Sequence, residues 1–249
     1  MKHMKAILVS CALIGAAGAT AAPSGKQGVS FSKQGKGYSF EYSYPTVVNG
    51  FPALKSKFES ERIAALAEIK AQAQEMLADL KGGDMGPTFD QSTHWQQVTN
   101  LPNYLSLSAD IYQYQGGAHG GSDKSSLIWD KKAAKSIVPI EMFTSKKAFN
   151  AVVQTPFCDK LDKERSKRRG GEKIDRRQKD DWTQACPDPA DFAVLLGSSN
   201  GKAFNRMAIY VGQYGAGPYA EGDYEIDLPV TKAVLEIVKP AYRDAFAVK

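Results

Sequence analysis

The chain has 249 residues, a formal net charge of +5 and an apolar fraction of 43%. This length and composition suit one globular domain that buries a full core and does not need disulfides or structural metal ions to be stable. The positive charge is small. Beyond the first 21 residues, its excess is confined to the segment between residues 159 and 181, so the sequence argues against a nucleic-acid partner.

The first 21 residues have the pattern of a secretory signal peptide. Two early lysines precede an apolar run over residues 6–19, and small residues at Ala19 and Ala21 offer a cleavage site. The run is shorter than the ~20 residues that a membrane helix needs, so no transmembrane segment is expected after signal removal. Cys11 lies in a sequence similar to a lipoprotein box, but the apolar run continues beyond it. A periplasmic or secreted protein is therefore predicted, with lipidation through Cys11 as the less favoured alternative.

Residues 22–37 are rich in Gly, Ser, Gln and Lys and offer little apolar surface to bury. This composition predicts a flexible leader, followed by a single domain over residues 38–249. The domain opens with a strand of period two, whose apolar face is formed by Tyr38, Phe40, Tyr42 and Tyr44. Another alternating run, Leu105, Leu107, Ala109 and Ile111 against serines and Asp110, predicts a second strand.

A long amphipathic helix is predicted over residues 56–81. Ser56 and Glu59 have the spacing of a capping box, and glycines at positions 82 and 83 provide the stop. Its apolar stripe, which is expected to pack against the sheet, advances in steps of three and four residues. The stripe consists of Leu66, Ile69, Ala73, Met76 and Leu80.

Two glycine-rich segments each join one alternating apolar run to the next. We call residues 112–121 the first glycine segment and residues 214–222 the second glycine segment. Glycine permits the positive φ angles that tight bends require, so each segment predicts a turn between antiparallel strands. The two bends are expected to meet at neighbouring strand ends and to form one recognition edge.

A dense run of charges lies between the two cysteines of the predicted domain, Cys158 and Cys186. Between Asp159 and Asp181 there are ten Lys or Arg and seven Asp or Glu residues. In an exported chain the two cysteines are expected to form a disulfide, and closing a loop of this length contributes about 3–4 kcal/mol. A free buried pair is the alternative.

These elements predict an α+β fold, because strands paired through turns alternate with helices placed between groups of strands. The expected architecture is an antiparallel sheet with a long N-terminal helix and a charged, disulfide-closed helical insertion. A C-terminal helix over residues 230–246, kinked at Pro240, is expected to close the domain.

The order of these motifs resembles a family of bacterial envelope domains. The family includes the extracellular domain of a lysozyme-sensing anti-sigma factor and an accessory domain of some peptidoglycan deacetylases. The residues that carry the resemblance are Tyr112-x-Tyr114-x-Gly116-Gly117-Ala118-His119, Leu127 to Asp130, Ile140 to Phe143 and Tyr219 to Pro229. The resemblance implies an envelope binding module. Because the sequence shows neither the membrane helix of the anti-sigma factor nor the metal-binding catalytic domain of the deacetylases, neither transmembrane signalling nor zinc deacetylation is expected of it.

His119 and Glu221 are the candidate catalytic residues. A histidine in a glycine turn can act as a general base or contact a ligand, and a nearby glutamate can pair with it. The structural alternative is a turn histidine bonded to backbone and a charged pair that joins the two turns. His94 and His119 are the only histidines beyond the predicted signal peptide. Two histidines are too few for a typical zinc site, so neither metal nor cofactor is expected.

Other candidate ligand contacts are aromatic or basic. Tyrosines beside glycine turns can stack on sugars or anchor a protein partner, or they can simply pack within the fold. The arginines before the glycine pair at 170 and 171 can dock an acidic partner, or they can form a solvated helix face. The candidates are Tyr112, Tyr114, Tyr214, Tyr219, Arg165, Arg168 and Arg169.

Three functions fit the sequence. The favoured one is a non-catalytic envelope module that recognises a lysozyme-like protein or a peptidoglycan glycan. The second is a wall-directed hydrolase that uses His119 and Glu221, and the third is a structural envelope protein without a ligand.

Overall fold

The computed structural model describes residues 27–79 and 89–249. The predicted signal peptide, the candidate lipidation site Cys11 and the glycine stop at positions 82 and 83 lie outside these residues. Within them the chain forms two β-sheets and three α-helices, which is the predicted α+β class. None of the helices in this part of the chain combines the length and hydropathy that a membrane span requires.

The first sheet has six strands that lie side by side in chain order. Every neighbouring pair is antiparallel except the second and third strands, which run parallel. The long helix connects these two strands, and such a crossover lets the chain return in the same direction. The strands are β1 (Gln27–Gly35), β2 (Tyr38–Pro45), β3 (Phe89–Asn100), β4 (Tyr104–Tyr114), β5 (Gly121–Asp130) and β6 (Lys135–Ile137).

Strand β1 occupies residues that the composition predicts to be a flexible leader. It pairs with β2 in an antiparallel hairpin whose turn contains Gly37 at a φ of 80°. Val29 and Phe31 of this strand pack against the aromatic core beneath β2. These two side chains and the hairpin glycine give the polar segment enough anchoring to join the sheet, so the ordered part begins before Tyr38.

Helix α1 (Pro52–Asp79) packs against the first sheet, as the apolar stripe predicts. It begins at Pro52 instead of Ser56, because proline is favoured in the first helical turn, where its missing N–H is not needed. The predicted capping box does not form, since Glu59 accepts a hydrogen bond from the hydroxyl of Tyr44 at 2.6 Å and pairs with Arg62. The residues of α1 buried against the sheet are Leu54, Phe58, Ile69 and Ala73.

The second sheet consists of three antiparallel strands, β7 (Ala193–Gly197), β8 (Arg206–Val211) and β9 (Tyr224–Pro229). One face of this sheet shares the largest hydrophobic core with helix α2 (Lys146–Arg168), which begins at the capping residue Ser145 and runs through Pro156.

The other face of the second sheet covers the first sheet. Tyr210 of β8 lies under the ammonium of Lys124 of β5, 5.3 Å from the ring centroid. In a strand with one face in solvent, alternating polar residues are exposed, but in β4 Ser106 and Ser108 are 1% and 8% exposed. Serine is small enough for the second sheet to approach closely, so both faces of β4 are buried.

The predicted C-terminal helix over residues 230–246 is wrong in its length. Thr231 caps a short helix α3 (Lys232–Ile237), and a 3₁₀ turn follows over Pro240–Ala245. Between them Val238 is extended and bridges Phe143. A residue before proline avoids helical angles, which explains why Lys239 before Pro240 breaks the helix instead of kinking it.

Candidate functional site

The two glycine segments meet at one edge of the molecule, as predicted, although their strands belong to different sheets. The first segment closes the β4–β5 hairpin, and the second lies between β8 and β9. The backbone N–H of Ser122 donates to Oε1 of Gln213 at 3.1 Å. The Tyr214 hydroxyl lies 3.3 Å from Nε2 of His119. Two bends that are about a hundred residues apart in sequence are thus joined by direct side-chain contacts.

His119, Tyr214 and Tyr219 form an aromatic cluster at this edge. The His119 and Tyr219 rings are stacked, with centroids 3.7 Å apart and an interplanar angle of 18°. Nδ1 of His119 lies 3.1 Å from the carbonyl oxygen of Gly120, which can only accept, so Nδ1 carries the proton in the neutral ring. Nε2 is then the acceptor for the Tyr214 hydroxyl. The cluster therefore holds the imidazole in one orientation and one tautomer.

Tyr214 combines an unfavourable backbone conformation with an exposed side chain. Its φ is 64°, in the left-handed region, which costs an L-residue other than glycine about 1–2 kcal/mol. The side chain is 52% exposed, so burial does not compensate for this cost. Backbone strain of this kind is concentrated at functional sites. Tyr214 is thus the residue of the cluster that folding alone explains least.

A groove of about 410 Å³ adjoins the cluster on the first glycine segment. His119 belongs to both the aromatic cluster and the groove. The other groups that line the groove are mainly amides, hydroxyls and a carboxylate. The lining residues are Ile111, Gln113, Gln115, Gly116, His119, Gly121, Ser122 and Asp123. The edge therefore presents aromatic rings at one end and a row of hydrogen-bonding groups beside them. Sequence reasoning did not single out Gln113, Gln115, Ser122 or Asp123, although the first two lie within or beside the glycine pattern.

Tyr112 and Tyr114 shape the first glycine segment. The Tyr114 hydroxyl donates to the carbonyl of Gly117 at 3.0 Å and ties the bend to its strand. The Tyr112 ring lies against Gly120, where a Cβ atom would overlap the phenol. A side chain at position 120 would displace the Tyr112 ring, and these two tyrosines hold the bend that presents His119.

Glu221 makes structural contacts and does not contact His119. Its carboxylate accepts bonds from Nε and Nη2 of Arg169 at 2.7 and 3.0 Å, and from the Tyr224 hydroxyl. Burial alone would raise the pKa of Glu221, but the hydrogen bonds and positive charge of Arg169 outweigh it and hold the pKa below its usual value. In residues 27–79 and 89–249 no hydrogen bond or ion pair joins Glu221 to His119, so the proposed catalytic pair is not assembled.

This pair gives a pH-dependent stability that can be measured. Since folding lowers the pKa of Glu221, the contact with Arg169 stabilises the protein at neutral pH, and this contribution is lost as the pH falls below 4.5. Glu221→Gln is expected to lower the free energy of unfolding at pH 7, with a smaller difference from wild type at pH 3. Urea unfolding over this range checks it, with Glu236→Gln, at an exposed position, as control. A difference that does not change with pH would contradict the assignment.

The three candidate arginines support the second glycine segment. Arg165 is fully buried and donates from Nε to the carbonyl of Ala216 at 2.7 Å. Arg168 donates to the carbonyls of Glu221 and Asp223, and its guanidinium lies 3.9 Å from the centroid of the Tyr224 ring. Together with the Arg169–Glu221 pair, these contacts connect the C-terminal end of α2 to the second glycine segment. Their guanidinium groups are therefore engaged in contacts within the protein, although Arg168 lies at an exposed position.

The disulfide between Cys158 and Cys186 forms as predicted. It fixes the end of the charged loop to α2, the helix that carries the three arginines. Arg165 also donates from Nη1 to the carbonyl of Ala185, one residue before Cys186, at 2.9 Å. The disulfide and the arginines thus act on the same region. Within the described part of the chain, no group of three or more His, Cys, Asp or Glu residues is placed to hold a metal ion.

Comparison with known proteins shows which family part of the chain resembles. Residues 32–122 match the family model described as Deacetylase PdaC. The predicted family resemblance is confirmed. The PdaC match runs from within β1 to the beginning of β5 and includes the first glycine segment, whereas the second glycine segment lies outside it. No curated protein matches the chain.

Two solved structures of DUF3298 family proteins share the fold over most of the chain. The protein from Bacteroides fragilis is 14% identical, with a TM-score of 0.55 over 88% of this chain and 93% of its own. The protein from Pseudomonas aeruginosa is 15% identical, with a TM-score of 0.53 over 90% of this chain and 96% of its own. The PdaC-type pattern is therefore part of a larger α+β domain that includes both sheets.

Proposed function

We propose that this protein is an exported, non-catalytic envelope module that binds a cell-wall glycan. The sugar ring would stack on the aromatic cluster of His119, Tyr214 and Tyr219, and its hydroxyl and acetamido groups would hydrogen-bond along the adjoining groove. The observation that carries the proposal is the exposed, strained Tyr214 beside that polar groove. Exposed tyrosines bind through large, rigid surfaces at a low cost in conformational entropy.

Three further observations support an extracytoplasmic, wall-associated role. The first 21 residues have the pattern of a signal peptide. A disulfide such as Cys158–Cys186 persists in oxidising compartments. The match to the PdaC family model supports an association with the cell envelope. A periplasmic or secreted location is therefore part of the proposal.

The size of the groove favours a glycan over a lysozyme-like protein as ligand. A volume of about 410 Å³ is in the range of small-molecule sites. A stable protein partner would instead need roughly 1,000 Å² or more of buried interface. The pairing of Glu221 with Arg169 favours binding over hydrolysis, because it leaves that carboxylate without access to a substrate proton.

Removing the rings of the cluster is expected to abolish most of the binding. Tyr214→Ala and Tyr219→Ala should each weaken binding of soluble peptidoglycan fragments about 10- to 100-fold, since a stacked ring at a binding site is worth on the order of 1–3 kcal/mol. Calorimetric titration at low salt measures the effect. Tyr242→Ala is the matched control, because Tyr242 is partly buried near Tyr104, at the opposite end of β4 from the groove.

The same titration separates the alternatives. If the protein binds a lysozyme-like protein but no glycan, and Tyr214→Ala removes that binding, the edge is a protein-docking site. If wild-type protein binds neither partner, the proposed function is wrong. Cleavage of the fragments by purified protein would show that the module is an enzyme.

A further inference from the structure

Arginines and lysines have different roles in the disulfide-closed segment. All five arginines between Cys158 and Cys186 make hydrogen bonds or ion pairs, and they are Arg165, Arg168, Arg169, Arg176 and Arg177. Four of the lysines have no such side-chain contact among the residues that the structure describes. They are Lys163, Lys167, Lys173 and Lys179. The arginine side chains are thus hydrogen-bonded or paired within the protein, whereas these lysine side chains are exposed and make no such contact among the described residues.

Three of these lysines line a pocket of about 430 Å³ beside the last turns of α2. The rest of the lining is Asp162, Ser166, Glu172 and Ile174. Asp162 already pairs with Arg165 and Arg176, and Glu172 accepts a hydrogen bond from Nε2 of Gln184 at 2.9 Å. The lining thus holds three lysines against two carboxylates, and one of these, Asp162, is already paired with arginines, so a net positive charge remains.

We propose that this lysine pocket, formed by Lys163, Lys167 and Lys173, binds a phosphate group of an anionic polymer or lipid headgroup. Lysine provides a compact charge with three donors on a flexible stem, which suits the several oxygens of a phosphate. The Ser166 hydroxyl adds one further donor in the same lining. The ligand is a different one from the glycan of the groove, so the inference does not rest on the proposed function.

The charge distribution separates the two sites. Beyond the predicted signal peptide, the excess of basic over acidic residues lies between residues 159 and 181. The lining of the groove, in contrast, contains Asp123 and neither Lys nor Arg. A phosphorylated polymer is therefore attracted to the insertion and not to the groove, and the attraction decreases as salt screens it.

The test uses linear polyphosphate as the soluble probe and vesicles containing phosphatidylglycerol as the membrane probe. The triple variant Lys163→Gln, Lys167→Gln and Lys173→Gln is expected to bind polyphosphate at least about 10-fold more weakly. Its slope of log affinity against log salt should fall by about 2, since each lysine–phosphate contact accounts for roughly 0.7. The control variant carries Lys132→Gln, Lys135→Gln and Lys202→Gln, which removes the same charge from exposed lysines elsewhere.

Each outcome decides the proposal. Loss in the pocket variant with binding retained in the control supports the pocket, and the probe that binds more tightly identifies the source of the phosphate. Equal loss in both variants, or no binding of either probe by wild type at low salt, overturns it and leaves the lysines as a solvated surface. The pocket variant is expected to keep its thermal midpoint and its affinity for peptidoglycan fragments, which distinguishes this test from that of the proposed function.

Discussion

Replacing Arg165 with alanine is expected to lower the free energy of unfolding by about 3–5 kcal/mol, the usual cost of removing one partner from a buried charged network. Its side chain is fully buried between α2, the second glycine segment and the end of the charged loop. Among the described residues, the substitution would leave Asp162 with Arg176, the carbonyl of Ala185 without its arginine donor, and the carbonyl of Ala216 with the longer bond from Nη2 of Arg169 at 3.5 Å. A buried acceptor that loses its partner retains its full desolvation penalty.

Urea unfolding of Arg165→Ala measures this cost. Arg177→Ala is the control, because among the described residues Arg177 pairs with Asp175 in its own turn and is 90% exposed, so its loss should leave the midpoint nearly unchanged. Arg165→Lys is expected to recover little, since one ammonium cannot reproduce the planar fork that reaches both carbonyls. Equal midpoints for Arg165→Ala and Arg177→Ala would show that the buried contacts do not stabilise the fold.

Removal of the disulfide is expected to cost about 3–4 kcal/mol, because the bond closes a loop with a sequence separation of 28 and restricts the unfolded chain. The double variant Cys158→Ala, Cys186→Ala should unfold at a temperature roughly 10 °C below wild type. Reduction of wild type with a thiol should produce the same shift, which separates loss of the bond from loss of the sulfur atoms. A shift of less than about 2 °C would indicate that ion pairs of Arg176 with Asp159 and Asp162 keep the loop closed without the bond.

The two effects are expected to be less than additive when combined. Arg165 and Cys186 hold neighbouring parts of the same loop, since Arg165 donates to the carbonyl of Ala185. Sites that share a structural unit are coupled, and a double-mutant cycle measures this coupling. The charged insertion and the second glycine segment are thus linked through the arginines, and a weaker insertion is expected to loosen the bend that carries Tyr214 and Tyr219.

The features that the sequence determined are those with a local physical cause. Alternation of apolar and polar residues defined β4, whose residues Leu105, Leu107 and Ala109 are fully buried. The three- and four-residue spacing of apolar residues placed α1 against the sheet. The glycine segments indicated bends, because glycine permits positive φ, and the two cysteines of an exported chain indicated a disulfide.

Tertiary structure decided the features that depend on partners distant in sequence. A run of basic residues has the same sequence pattern whether its arginines face solvent or donate to backbone carbonyls about fifty residues away. Arg165 and Arg168 make contacts of the second kind. In the same way, no local pattern distinguishes a polar leader from β1, which becomes a strand only because β2 provides an edge for Val29 and Phe31. The pairing of Glu221 with Arg169 instead of His119 likewise depends on a contact between segments 52 residues apart in sequence. Local patterns report backbone freedom and apolar periodicity, whereas the partner of a polar side chain depends on which distant segments the packed core brings within hydrogen-bond reach.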